Sequence, residues 1–473
     1  MNPLKGSQQP LSWGKSSLFA ALAVVCFHVA YAPLQHPAFG WFIFGYAIFL
    51  VQLTNQKTVR RAFYFGLAVG FLCVAPQLNF FWKVFSAAAI ALWLILAFWI
   101  GLFVAIACAC IRRWGKARAM WLVPFIWTGL EYFRSELYFL KFSWLNVGYA
   151  LPAPFSCFGM GMYGIGFIAF GLIVVVCHWR PFKVTWLETV LVPGILFIVL
   201  VLCLSTLAKP KWNTTPLSLA GVQMEFPGAG ILPKALDNVV KKHPEAQLLV
   251  LSEYTLDGPV PESLKQWCRA HSRYLIVGGE DPTTNGNYYN TAFVVGTNGE
   301  VIFKQAKSVP IQFFKDGLPA PKQEVWNSPW GKIGICICYD LSYARVTDRL
   351  VKEGAQLLIV PTMDVEDWGR REHELHAQVA PVRAAEYGIP IFRLASSGIS
   401  QAVSGDGRVV AHASFPGSAD ILSAELRLPM RGSLPLDRFL APFCVIVVAV
   451  ILILLTTISL RENHLKARAG PSK

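Results

Sequence analysis

Two rhythms of apolar residues divide this chain. Long runs with few or no charges come first and last: Ser17–Ala32, Phe39–Thr54, Ala62–Phe81, Ser86–Ile111, Ala117–Phe133, Cys157–Cys177, Thr185–Leu207 and Phe439–Leu460. A helix needs roughly 20 apolar residues to cross ~30 Å of hydrocarbon, so these runs are read as an α-helical membrane bundle of about eight spans. Between Ala208 and Arg438 the pattern changes, and charges, Asn, Gly and Pro appear at globular density. Here short runs alternate with helical segments. Leu217–Gln223, Leu248–Ser252, Tyr274–Gly279, Thr291–Gly296, Lys332–Cys338, Gln356–Pro361 and Ile389–Ala395 read as strands, near-continuously apolar and so covered on both faces. Lys234–His243, Pro261–His271, Ser342–Glu353 and His373–Tyr387 read as helices, and Asn298-Gly299 and Asp406-Gly407 as hairpin turns. The expected organisation is a membrane domain over 1–207, an extramembrane α/β domain over 208–436, and a last span with its tail over 437–473.

Composition supports the membrane reading: 54% of the 473 residues are hydrophobic and 13% aromatic. A net charge of +14 could suggest nucleic acid, but many basic residues sit at the ends of the apolar runs. Lys5, Lys15, Lys57, Arg60, Arg61, Arg112, Arg113, Lys116, Arg118, Arg180, Lys183, Arg461, Lys466, Arg468 and Lys473 fall on one side of an eight-span arrangement. The short loops of the other side hold little beyond Lys83, Arg134 and Lys141. The positive-inside rule then places both termini in the cytoplasm and the polar insert outside it. Of 11 cysteines, Cys268, Cys336 and Cys338 lie in the polar part; an odd trio is a poor disulfide framework.

Three strand ends carry chemical promise. Gly334-Ile-Cys336-Ile-Cys338-Tyr339-Asp340 brings a thiol to the end of an apolar run. Strand alternation would put both cysteines on one face, with Cys338 nearer the exit. Leu248-Leu-Val-Leu-Ser-Glu253 ends in a carboxylate, and the run from Asn298 leads through Lys307 to Pro310. A thiol is a strong nucleophile as thiolate, so a neighbouring base and cation suit it.

Glu, Lys and Cys in this order resemble the pattern of the carbon–nitrogen hydrolase, or nitrilase-type, family, over about Leu217 to Ala424. Arg383-Ala-Ala-Glu386-Tyr-Gly-Ile-Pro390 and Ser396-Ser-Gly-Ile-Ser400 extend the likeness. The resemblance implies an α-β-β-α sandwich with Cys338 as nucleophile, Glu253 as base and Lys307 as oxyanion partner, and neither metal nor cofactor. The spans narrow it. From Phe27–Gly40 to the last span, and through Glu131-Tyr-Phe-Arg134 and Phe142-Ser-Trp144-Leu-Asn-Val-Gly148-Tyr149, the chain resembles the apolipoprotein N-acyltransferase branch. That implies acyl transfer from a phospholipid, typically phosphatidylethanolamine, through a Cys338 thioester to the α-amine of a diacylglyceryl-cysteine on a lipoprotein. It also implies a monomer in a bacterial inner membrane, its catalytic domain periplasmic, with Tyr339, Asp340 and Trp144 in supporting roles. The competing readings are a membrane-tethered amidase and a transporter with a binding domain; spans nearly free of charge disfavour transport.

The match has gaps. Lys307-Ser-Val-Pro310-Ile-Gln-Phe-Phe is two residues shorter than the family loop and lacks its glutamate; Gln312 or Phe313 falls there, and Asp316 and Glu324 are the candidate replacements. Asp340 stands where the family commonly has Glu. Lys307 is preferred to Lys304 because it lies eight residues after Gly299, as the family lysine does. His373-Glu-Leu-His376 lacks the i, i+4 histidine pair of zinc proteases and is read as a helix beside the site. Trp121, Trp127 and Trp144 are read first as interface anchors.

Overall fold

The strand runs of the insert form two six-stranded sheets, in the orders β12-β1-β2-β3-β4-β5 and β11-β10-β9-β8-β7-β6. The strands are β1 Leu217–Val222, β2 Leu248–Val250, β3 Tyr274–Pro282, β4 Tyr288–Val295, β5 Val301–Ala306 and β6 Val325–Ser328. They continue with β7 Gly331–Ile335, β8 Leu357–Thr362, β9 Ile391–Ala395, β10 Gln401–Val403, β11 Val409–His412 and β12 Ile421–Leu426. This computed structural model describes residues 9–32, 38–153, 159–178, 216–417 and 419–468. Two compact units divide the chain: Met1–Leu151 with Gly161–Val199 and Leu436–Lys473, and Leu200–Pro435 with Pro152–Met160.

In the sheet unit the central strands run parallel, β1 with β2 and β2 with β3 in one sheet, β7 with β8 and β8 with β9 in the other. Every residue of β8 is buried, as a strand covered on both faces requires. Leu219, Val250, Ile276, Ile335, Ile359 and Leu394 pack in the core shared by the two sheets. On the outer face of the first sheet lie the helices Leu232–Lys242 and Glu262–His271, which bury Leu232, Leu236, Val239, Leu264 and Trp267 at helical spacing. The five strands beyond the predicted seven each flank one of the two turn signals or close a sheet edge. Gly299 and Gly407 hold φ of +80° and +83° at those turns, where glycine pays no steric penalty.

The predicted helix His373–Tyr387 is instead two, Arg370–Ala377 and Val379–Tyr387. Pro381 has no N–H for the Ala377 carbonyl, and Gln401 Nε2 donates to that carbonyl at 2.6 Å instead.

Among the described residues, the helical unit contains four helices long and apolar enough to cross a membrane: Trp13–Ala30, Val59–Gln77, Ala88–Trp114 and Asp437–Leu465. Phe39–Leu53 and Gly161–Val176 are shorter apolar helices. The predicted span Ala117–Phe133 is broken into Lys116–Ala119, a 3-10 turn and Val123–Tyr132, and Thr185–Leu207 lies outside the described residues. Val59–Gln77 and Ala88–Trp114 meet through small residues: a Cβ on Gly66 would lie 2.9 Å from the Gly101 Cα, and one on Gly70 2.8 Å from that of Ala97. Trp127 is buried and stacks on Phe170 at 4.4 Å, so it is a packing residue of this unit rather than an interface anchor.

Candidate active site

β2 delivers Glu253 just past its end, and the chain after β5 delivers Lys307. Both are buried, and Lys307 Nζ lies 2.8 Å from Glu253 Oε1. Asp316 Oδ2 lies 2.7 Å from the same ammonium. Asn290, on β4, donates from Nδ2 to Glu253 Oε1 at 2.6 Å and to Asp316 Oδ1 at 2.8 Å. Tyr254 OH donates to Asp316 at 2.9 Å, and the Ile311 N–H does so at 2.6 Å. Of the two candidate replacements for the glutamate that the shortened loop lacks, Asp316 is the one that faces the ammonium. The other candidate, Glu324, pairs with Lys322 on the surface, while Lys304 is exposed and paired with Asp281.

Cys338 follows β7 and opens a 3-10 turn, Cys338–Ser342, with φ of +53°. That left-handed residue breaks the strand alternation, and the expectation that Cys336 and Cys338 share a face is corrected here. Ile333, Ile335 and Ile337 point into the core between the sheets, and Cys338 joins them. Cys336 stays in phase with Gly334, whose Cβ position faces Leu350 and Ala355 on the helix side. A non-glycine residue in this region costs about 1 kcal/mol or more and is held by its surroundings. The Cys338 thiol is directed at the Met363 carbonyl, 3.8 Å away, and the Met363 N–H donates to Glu253 Oε2 at 2.8 Å.

The electrostatics follow from burial. Burial pushes the Cys338 thiol well above its ordinary range, Glu253 adds to this, and Lys307 opposes it. Burial also raises Glu253, against the pull of Lys307. For Lys307 burial favours the neutral amine, but Glu253 and Asp316 outweigh it and keep the ammonium protonated. The result is a basic carboxylate and a fixed cation around a buried thiol.

Asp340 ties two loops together. Its carboxylate accepts from the Ser308 N–H at 2.9 Å, the Val309 N–H at 2.7 Å and the Ile337 N–H at 3.2 Å, so the residues after Lys307 are fastened beside Cys338. Burial pushes this carboxyl up to about 6, though the backbone donors pull it down. An unfolded Asp titrates near ~3.9, so the folded state binds the extra proton between those values. This group's contribution to stability is therefore complete below the unfolded value and lost as pH rises through about 6. Asp340→Asn should flatten the stability slope over that interval by about one proton in pH-dependent melts. It should also remove the component of the acid limb of Cys338 acylation that titrates near 6.

Tyr339 is half-buried, edge-on to Tyr343 at 5.0 Å. Trp144 lies in the helical unit, where it packs against Phe142 at 5.3 Å and Phe80 at 6.2 Å. In that unit Glu131 accepts the Val147 N–H at 2.9 Å, and Arg134 donates to Asn146. Sequence reading missed Asn290 and the Met363 peptide; a lone amide in the apolar strand Tyr288–Val295 was the available signal for the first.

A buried thiol, carboxylate and ammonium at strand ends between two sheets are groups that thiol-dependent acyl transfer can use. The apolipoprotein N-acyltransferase N-terminal domain family matches residues 23–171, and the carbon–nitrogen hydrolase family matches residues 219–435. The apolipoprotein N-acyltransferase of Geobacter metallireducens is 24% identical over 426 residues, covering 76% of this chain and 80% of that protein. Omega-amidase NIT2-A of Xenopus laevis is 30% identical over 205 residues, 39% of this chain and 73% of that protein. A carbon–nitrogen hydrolase structure from Helicobacter pylori G27 aligns over 45% of this chain and 89% of its own, at 19% identity and a TM-score of 0.40. The chain belongs to the carbon–nitrogen hydrolases and, within them, to the apolipoprotein N-acyltransferase family.

Proposed function

We propose that this membrane acyltransferase moves an acyl chain from a phospholipid, phosphatidylethanolamine by preference, to the α-amine of a lipoprotein's N-terminal diacylglyceryl-cysteine. The observation that carries the reading is the meeting of Cys338 with Glu253 and Lys307 in a chain that also holds the family's N-terminal domain. Glu253 takes the thiol proton, and the Cys338 sulfur attacks the sn-1 ester carbonyl. The tetrahedral oxyanion is held by Lys307. As it collapses, the ester C–O bond breaks, Glu253 returns the proton to the departing oxygen, and a thioester and a lysophospholipid result. The acceptor amine then attacks the thioester carbonyl. Its proton passes through Glu253 to the Cys338 sulfur, an amide forms, and the free thiol is restored. Asp316 and Asn290 keep Glu253 and Lys307 in register, and Asp340 holds the Lys307 loop against the nucleophile.

Both substrates are lipids. An enzyme on the bilayer meets them without extracting either into water, and the apolar helices support that placement. Eight spans with cytoplasmic termini, a periplasmic catalytic domain in a bacterial inner membrane, and a monomer complete the proposal.

The test uses the full chain in micelles with phosphatidylethanolamine of one acyl composition. Intact-mass analysis should show a single acyl adduct, mapped to Cys338 and discharged by a diacylglyceryl-cysteine peptide to give a triacylated product. Free fatty acid with no peptide acylation would place the chain with the hydrolysing amidases instead. A cytoplasmic reporter signal from a tag in the insert would overturn the topology.

A further inference from the structure

Behind Cys338 lies a second buried polar cluster that the reaction above does not use. Asp364 is fully buried with every polar atom engaged. Its Oδ1 lies 2.8 Å from His376 Nδ1, and its Oδ2 accepts from Arg393 Nη2 at 2.6 Å. The backbone N–H donates to Ser396 Oγ at 3.1 Å, and the carbonyl accepts from Ser396 Oγ at 3.0 Å and from the Ser397 N–H at 3.2 Å. Gly398 carries no side chain, and a Cβ there would collide with the Asp364 carboxylate. Glu372 Oε1 lies 3.7 Å from His376 Nδ1, and His373 Nε2 donates to the Val365 carbonyl, 2.9 Å away.

Asp364, Glu372 and His376 are close enough to hold a cation. Their charge, however, is already matched by the protein. Arg393 and His376 keep Asp364 ionised against its burial, and burial drives Glu372 toward its neutral form. The cluster's more telling feature is what its neighbour touches. Met363, the residue before Asp364, presents its N–H to Glu253 and its carbonyl to the Cys338 thiol. With Oε1 of Glu253 taken by Lys307 and Asn290, the Met363 N–H is what orients the other oxygen.

We propose that Asp364, clamped by Arg393 and His376, is a positioning residue that fixes the Met363 peptide and through it the relative placement of Glu253 and Cys338. This rests on the acyl-transfer reading given above. Asp364 touches no reacting atom. Its charge also reaches Cys338 and raises the thiol, so its removal has two separable consequences. The charged and titratable groups around it are Arg393 on β9, His376, Glu372 and His373 on the helix Arg370–Ala377, and, across the site, Lys307, Glu253 and Cys338.

Full-length Asp364→Asn should lose about 10–100-fold in the rate of Cys338 acylation, as expected for a slight misplacement of reacting groups, while the KM for phosphatidylethanolamine stays within about twofold. The pH midpoint for iodoacetamide alkylation of Cys338, read by peptide mass spectrometry, should move down because a negative charge has gone. A merely structural role would reduce the active fraction without moving that midpoint. His376 gives a second handle should Asp364→Asn fold poorly. His376→Asn keeps a donor for Asp364 and should stay within about threefold of the parent rate, whereas His376→Leu should lose about tenfold. Parent-like acylation and an unmoved midpoint in Asp364→Asn and His376→Leu would overturn the proposal. So would one equivalent of divalent ion in the purified protein that is lost in His376→Leu. Alkylation needs no lipid, so the midpoint still reports on Asp364 even if the parent forms no acyl adduct, an outcome that would count against the acyl-transfer reading instead.

Discussion

Cys338→Ala should abolish the acyl adduct and lower transfer by ~10⁴-fold or more, while Cys336→Ala stays within about threefold of the parent. The pair of variants is a sharp comparison because the two thiols are separated by a single residue and are both buried. Chemistry distinguishes them through backbone geometry. At φ of +53° Cys338 turns out of the strand pattern towards the core between the sheets, where Glu253 and Lys307 lie. Cys336 remains on the helix side, near Arg383 and Asp340. Its truncation removes a small buried side chain and should cost on the order of 1 kcal/mol of stability with little effect on rate. Single-turnover acylation followed by intact mass measures both. Loss of the adduct in Cys336→Ala with its survival in Cys338→Ala would reverse the assignment.

Lys307→Met should hit stability and activity together. The ammonium sits between Glu253 and Asp316 at 2.8 and 2.7 Å, with all three side chains buried. Removing it leaves two carboxylates facing each other through Asn290, and breaking a buried pair in this way costs about 3–5 kcal/mol. Proton uptake by the carboxylate pair moderates the cost. In the variant the pair's folded-state titration is raised, so its stability is best at low pH and falls as pH rises above the ordinary carboxylate range. In the parent burial raises Glu253 as well, but Lys307, which stays charged throughout that range, pulls against that rise and so limits it. Thermal melts should therefore show a larger gap between variant and parent at pH 8 than at pH 5. Adding Asp316→Asn to Lys307→Met removes one of the two carboxylates and should recover much of the stability. It should not recover activity, because the oxyanion partner is still missing, a loss of about 10²–10³-fold. Recovery of both would make Lys307 a purely structural residue.

Much of this protein is legible in local pattern. Runs of apolar residues mark the helical unit, and near-continuous apolar strands mark the central strands of both sheets, because solvent and bilayer act on each segment separately. Strands β5, β6, β10, β11 and β12 were harder to see. They lie at or next to the sheet edges, and exposed residues such as Val409 and Val410 dilute the pattern. The break at Gln378 was foreshadowed by Pro381, but the partner that satisfies the freed Ala377 carbonyl, Gln401, lies on another element.

The candidate site divides along the same line. Glu253 and Cys338 could each be read from a polar residue ending an apolar run, and Lys307 from the hairpin turn at Asn298-Gly299 that leads to it and the Pro310 that follows. Sequence alone therefore determined the residue types, their order and the membrane setting. The tertiary structure decided which groups meet: Glu253 lies 54 residues from Lys307 and 110 from Met363 in the chain, yet it is hydrogen-bonded to both. It also decided that Asp316 rather than Glu324 faces the ammonium, that a left-handed backbone sends Cys338 rather than Cys336 into the core, and that Asp364 sits clamped behind the Met363 peptide. The reason is physical: periodicity reports only which face of an element is buried, whereas the distance between two side chains depends on how separate elements pack.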